Sequence, residues 1–396
     1  MASKIHRDYR KIPELLFLTG LGLLSVLLST RKTQAEENAM YRVYLGTYTR
    51  GDSRGIYACE LDPSQGTLSA PKLVAEVRNP SFLAFHPTLP RIYAVSELWQ
   101  AEGPERGAVT ALEIDDASGA LHVLNQEAVG GAGPCHLAVS PSGRYLVTAN
   151  YGSGSTSVLP LDGDGRLQPR SCVIQHEGSG PNEARQKGPH AHQTIFSPRG
   201  EILLVPDLGI DQVLLYRLDE TTGRLTAWNP AGVDVPPGSG PRHCAYHPSG
   251  NLLYVVNELA STVSVFECAD EVPVRLVQTV STLPPDFEGQ NTTAEIEVHP
   301  SGRFVYASNR GHDSIAAFAV DPASGKLSEI GRFPSGGKVP RNFALAPGGR
   351  FLLAANQDGH NVVVFAIEPN SGKLRATDVS VQVGSPVCVV FRPIRR

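Results

Sequence analysis

An apolar run ending in proline, then a small polar turn, then another apolar run, recurs along this 396-residue chain. The copies are FLAFHP at Pro87, HLAVSP at Pro141, QTIFSP at Pro198, CAYHP at Pro248, IEVHP at Pro300, FALAP at Pro347 and VVFRP at Pro393, spaced by 46 to 57 residues. After each of the first six prolines come further alternating runs, such as LLYVVNE, STVSVFEC and VRLVQTV, so a unit holds about four strands. Four strands in a period of about 50 residues is a propeller blade. Two β-sandwiches would also use short alternating strands, but they would not carry one period through both halves.

The ends complete the count. YRVYLGTYT, RGIYACEL and KLVAEV near the N-terminus lack an inner strand, and VCVVFRP at the C-terminus is an inner strand lacking the other three. Pairing the two closes the ring and covers edges that would otherwise stay open. The expectation is an all-β, seven-bladed propeller over residues 41–396, a single domain. The 39 Gly and 31 Pro, with only 19% charged residues, suit many short strands and tight turns. A net charge of -4 and the lack of Lys/Arg runs with interleaved aromatics exclude a nucleic-acid partner. Six scattered cysteines without a CxxC pair predict buried thiols rather than a disulfide framework.

Residues 1–40 differ from the rest. Lys4, Arg7, Arg10 and Lys11 precede the apolar stretch Leu15 to Leu28, and STRKTQAEENA follows. This pattern fits a signal or anchor segment, with a cut after Ala35 if it is cleaved. The apolar stretch is short for a stable membrane span, so the mature chain is expected to be periplasmic or secreted. If translation starts at Met40 the protein is cytoplasmic.

In a propeller the segments entering the innermost strands crowd around one mouth of the axial channel. Here they read NPSF, GPCH, GPHAH, GPRH, TAE, VPRN and GSPV. They carry Cys135 and His136, His190 and His192, Arg242 and His243, Glu295, and Arg341 with Asn342. A second ring comes from the ends of the next strands: Asn150, Asp207, Asn257 with Glu258, Asn309 with Arg310, and Asn356 with Gln357. An Asn at a strand end is also a common turn residue. His86, His247 and His299, in His-Pro pairs at the far end of the inner strand, read as turn contacts of the repeat. Unlike chemistries at equivalent blade positions break the repeat at one end of the ring, and symmetry alone does not account for that. His190 and His192 form a His-x-His pair without a clear third ligand, so no metal or other cofactor is assigned.

GPHAHQ, GPRHCAYHP, VVNEL, AEIEVHPSGRFVYASNR and VPRNFALAPGGRFLLAANQ resemble the lactonase propellers, a family that includes propeller-type 6-phosphogluconolactonases and carboxymuconate-lactonizing enzymes. The resemblance spans residues 41–393. It implies hydrolysis of a sugar lactone to the aldonic acid, with His192, Arg242, Glu258 and Arg310 at the family's functional positions and Arg341 as the rival of Arg310. Glu258 or His192 would activate water, and His192 would protonate the ring oxygen. Arg242 and Arg310 would stabilise the oxyanion and hold an acidic group. His190, His243, Asn257, Glu295, Asn309, Arg341 and Gln357 would contact substrate. A small-molecule lactone acted on by a monomer is the expectation. The alternatives are a cycloisomerase for a muconate-type acid and a non-catalytic exported binding propeller.

Overall fold

The computed structural model describes residues 39–394 except 101, 102, 104 and 105. The segment read as signal or anchor lies outside the described residues. Among them the chain forms seven antiparallel sheets arranged as blades, and no helix is long and apolar enough to cross a membrane. Blade I is built from both ends of the chain: Pro386–Pro393 innermost, then Tyr41–Thr47, Gly55–Asp62, and the short outer strands Thr67–Leu68 and Lys72–Glu76. Tyr41–Thr47 pairs antiparallel with Pro386–Pro393 from Tyr41 opposite Pro393 to Thr47 opposite Pro386, so the expected closure is present. Blades II to VII each begin with an inner strand, at Leu83–Phe85, Pro134–Val139, Ile195–Phe196, Pro241–Tyr246, Thr292–Val298 and Pro340–Leu345, and step outward in chain order.

Burial follows position within the blade. The second strands are apolar on both faces and buried throughout, as in Tyr145–Asn150 and Phe351–Asn356. Each face packs on a neighbouring blade, which accounts for continuous apolar runs where a one-sided sheet would show strict alternation. The outer strands, such as Leu327–Pro334, return to alternating exposure. The described core accordingly divides into seven apolar clusters, each shared by two adjacent blades. The closing cluster packs Val43 and Leu45 of blade I on Leu353 and Val364 of blade VII.

Polar clasps repeat between blades. Nε2–H of His86, His247 and His299 donates to the carbonyls of Gly143, Gly302 and Gly349 in the next blade, at 2.9 to 3.0 Å. Nδ1 of the same rings accepts a backbone N–H of its own turn, which places the proton on Nε2. The His-Pro reading as a repeat contact therefore holds, with the added fact that the contact crosses blades. Tyr44, Tyr93, Tyr254 and Tyr306 do the same farther out, each donating its hydroxyl to a turn glycine carbonyl of the following blade.

The channel-facing edges of the inner strands carry backbone N–H groups without a ladder partner, and side chains cap them from the blade before. Gln193 accepts from Cys244 N, Glu297 from Leu345 N and Asn342 from Val389 N, at 2.7 to 2.9 Å. All six cysteines are free thiols.

Candidate active site

At the entry to several inner strands the ladder skips one residue. Pro134 faces Asn150 while His136 faces Ala149, Pro241 faces Asn257 while His243 faces Val256, and Pro340 faces Asn356 while Asn342 faces Ala355. The extra residues are Cys135, Arg242 and Arg341. A bulge of this kind re-aims the side chain it adds, here toward the mouth of the channel. His192 holds the same place in blade IV, following Ala191, whose bridge to Asp207 matches the Pro241 to Asn257 pair.

A second set of side chains comes from the residue just beyond the end of six of the seven second strands. Tyr48, Glu97, Tyr151, Leu208, Glu258 and Gln357 each donate their backbone N–H to the carbonyl of the residue before the inner strand or close to it. Tyr48, Glu97, Tyr151 and Glu258 line one cavity of about 550 Å³ together with Cys135, His192, Arg310 and Arg341. Beneath it a small chamber is lined by Ser81, Phe82, Arg242, His243, Glu295 and Asn342, and shares Glu97, Cys135, His192 and Arg341 with the larger cavity.

The electrostatic centre is Glu258, 5% exposed, with three guanidinium partners. Arg185 Nη2 lies 2.7 Å from Oε1, Arg310 Nη2 2.9 Å from Oε2, and Arg242 Nε 3.1 Å from Oε2. Burial alone would raise the Glu258 carboxyl, but Arg310, Arg242 and Arg185 outweigh it and hold it at about 2. Arg242 is lowered to about 10 by burial and by the other arginines. Two further bonds go to backbone: Arg242 Nη1 donates to Ala294 O and Arg310 Nη2 to Thr293 O. Arg310 Nε is buried without a partner among the described residues.

His192 is buried, and desolvation first, then Arg242 and His243, push its imidazole well below the ordinary value. Nδ1 of His192 stands 3.8 Å from Cys135 Sγ. Arg341 is half-buried, and its guanidinium lies 5.4 Å from the Tyr48 ring centroid without a hydrogen bond or ion pair among the described residues. Burial would lower it, yet Tyr48, Glu97 and Glu258 more than compensate and push it up.

The geometry sorts the residues singled out in the sequence. His192, Arg242, Glu258 and Arg310 converge at one mouth, and Arg341 joins them rather than replacing Arg310. His243 and Glu295 lie one step deeper: His243 Nδ1 donates to Glu295 at 2.8 Å, Glu295 also accepts from Asn342, and the three line the chamber below. Four expected substrate contacts are placed elsewhere. Asn257 and Asn309 are fully buried and turn into their own blades, donating to Thr262 and Ser264, and to Thr282 O and Ser314. They are the strand-end staples of the repeat, as are Asn150 and Asn356. Gln357 bonds the side chain of its neighbour Asp358, and His190 stacks on the Tyr151 ring at 4.5 Å with Nδ1 on Tyr151 O; neither lines the cavity.

Sequence reasoning missed Glu97, Tyr48, Tyr151 and Arg185. A signal for Glu97 was present: VSEL at 95–98 repeats VNEL at 256–259, with Ser96 in place of the Asn that marked the other strand ends. Arg185 arrives on a long loop whose length varies from blade to blade, and no periodicity predicts it.

With this geometry in view, the relatives can be placed. The family described as "Lactonase, 7-bladed beta-propeller" matches residues 42–391. A 6-phosphogluconolactonase of Bacillus subtilis is 40% identical over 352 residues, covering 89% of this chain and 98% of that protein. The solved structure of a periplasmic gluconolactonase of Pseudomonas aeruginosa superposes with a TM-score of 0.86 at 38% identity, covering 90% of this chain and all of that one. A structure from Lactobacillus plantarum gives a TM-score of 0.82 at 32% identity over 89% of this chain and 99% of that chain. By a match that runs from the first strand to the last, the chain belongs to the lactonase family of seven-bladed β-propellers.

Proposed function

We propose that the protein hydrolyses a sugar lactone to its aldonic acid, in the manner of a 6-phosphogluconolactonase. The observation that carries this reading is Arg341: a half-buried guanidinium without a hydrogen-bond partner among the described residues, on the lining of a cavity large enough for a sugar ring. Lactone opening passes through a tetrahedral carbon whose oxygen gains a full negative charge, and a preorganised cation at that oxygen lowers the barrier without reorganising at the moment of reaction. Among the described residues the lining carries Arg50, Arg185, Arg310 and Arg341 against Glu97 and Glu258, so a substrate bearing an acidic group is favoured.

Glu258 organises this site rather than acting as its base. Its carboxylate orients Arg242, Arg310 and Arg185, and taking up a proton would break three ion pairs in a desolvated place. His192 is held neutral, which suits it to hydrogen-bond the ring oxygen or a hydroxyl and unsuits it as an imidazolium acid. Arg242 and Arg310 hold the acidic group.

The signal-like pattern of residues 1–35, together with the periplasmic gluconolactonase relative, supports a second form of the same reading in which an exported protein opens an unphosphorylated aldonolactone. A panel of phosphorylated and unphosphorylated aldonolactones separates the two. In that assay Arg341→Ala is expected to lower kcat/KM by about 100-fold or more on every accepted lactone with its melting temperature kept. A wild-type protein inert toward the whole panel would end the hydrolase reading.

A further inference from the structure

Glu97 closes the second strand of blade II as Glu258 follows that of blade V, and the two share a backbone setting: Glu97 N donates to Asn79 O at 3.1 Å and Glu258 N to Gly240 O at 2.7 Å. Both carboxylates reach the same cavity, from blades on different sides of the ring. Their partners differ in kind. Glu258 is bound by three guanidiniums. Both oxygens of Glu97 accept from one neutral donor, the Tyr48 hydroxyl, at 3.0 and 2.9 Å, and among the described residues no guanidinium or imidazole hydrogen-bonds to them. Burial keeps the Tyr48 hydroxyl protonated by pushing its ionisation up. The Arg341 guanidinium lies 5.4 Å from the centroid of the Tyr48 ring.

We propose that Glu97 is the catalytic base, taking the proton of the attacking water, while Tyr48 fixes its carboxylate and Arg341 receives the charge that develops on the carbonyl oxygen. The proposal rests on the lactone-hydrolase reading above and assigns a group to the one task that Glu258 and His192 serve poorly. A proton on one Glu97 oxygen leaves the other to accept from Tyr48, so no ion pair is dismantled. In the first step the water O–H proton passes to Glu97, the water oxygen bonds to the lactone carbonyl carbon, and the C=O π pair moves onto the carbonyl oxygen beside Arg341. In the second the C=O re-forms, the bond to the ring oxygen breaks, and that oxygen leaves with its electron pair and takes the proton back from Glu97. The sum is lactone plus water giving the hydroxy acid.

The test uses steady-state rates on an aldonolactone that the wild-type protein opens. Glu97→Gln is expected to lower kcat by about 10²- to 10⁴-fold with KM changed less than about threefold and the melting temperature kept. Glu97→Ala is expected to regain at least about tenfold of its lost rate when formate is added as a replacement base, an effect that a merely structural role would not produce. A Glu97→Gln enzyme within about threefold of wild type, or a Glu97→Ala enzyme that formate leaves unchanged, overturns the assignment. Should Glu97→Gln not fold, Glu97→Asp decides: a kcat lower by about tenfold at unchanged KM supports it, and an unchanged kcat overturns it. Wild-type activity on the lactone, measured in the same assay, keeps failure of this assignment distinct from failure of the hydrolase reading, which a wild-type enzyme without activity would signal.

Discussion

Two acidic side chains of this propeller answer to burial in opposite ways, and the difference is set by who faces them. Glu258 meets three guanidiniums and is held at about 2, below its ordinary 4.5. Its contribution to stability is therefore present above about pH 4.5 and is lost as pH falls through 2. Glu297, half-buried on the inner strand of blade VI, accepts from the Leu345 N–H alone among the described residues, and the nearby charge of Glu295 opposes it. Desolvation first, then Glu295, push its carboxyl up to about 8. Between pH 4.5 and 8 the folded chain then binds a proton at Glu297 that the unfolded chain has released, so this residue makes stability fall as pH rises across that window. Glu297→Gln keeps an acceptor for Leu345 N and abolishes the effect. Thermal melts should show the variant matching wild type at pH 4 and exceeding it at pH 9 by about 2 kcal/mol, a shift of a few degrees. Equal melting temperatures at both pH values would refute the burial argument.

At the scale of elements, the blades are held by small repeated contacts whose geometry depends on glycine. Gly302 adopts φ +72° in the turn of blade VI, and its carbonyl receives the His247 Nε2 proton at 3.0 Å. A Cβ there would stand 2.4 Å from that nitrogen. Gly302→Ala thus combines left-handed backbone strain with loss of an interblade hydrogen bond, and should cost about 2 kcal/mol while leaving the distant mouth intact. The measurement is denaturant unfolding alongside lactone kinetics: lower stability with unchanged KM is the expected pair. The bulges are the other element-level device. They let one regular strand pair deliver Cys135, Arg242 and Arg341 to the mouth without disturbing the alternation that packs the rest of the strand.

For the molecule as a whole, closure of the ring is the decisive event, because both termini contribute to blade I. A chain ending at Ser385 would lack the inner strand Pro386–Pro393, exposing the edge of Tyr41–Thr47 and removing Val389 from the cluster shared with blade VII. Such a truncation is expected to yield aggregated protein, seen as void-volume elution and loss of a cooperative melt; a stable folded species of the shortened chain would show that the strap is dispensable. Much of this architecture was legible in the residues: period, strand count and closure follow from hydrophobic patterning and Pro-turn punctuation, which are local properties that every blade repeats. Convergence of the strand-entry and strand-end residues at one mouth could be anticipated for the same reason, since equivalent positions of a repeat return to the same height on the ring, whereas the choice of His192, Arg242, Glu258 and Arg310 among them came from the family resemblance. The sequence by itself thus determined the wheel and which end of it carries chemistry. Only the tertiary structure decided which polar residue at that end faces the cavity: Asn257 and Asn309 turn into their blades to satisfy buried backbone and hydroxyl groups, whereas Glu97, Tyr48 and Arg185 turn inward. It decided their partners as well, because the charge environment of a side chain depends on neighbours 50 or more residues away, and local sequence does not carry that information.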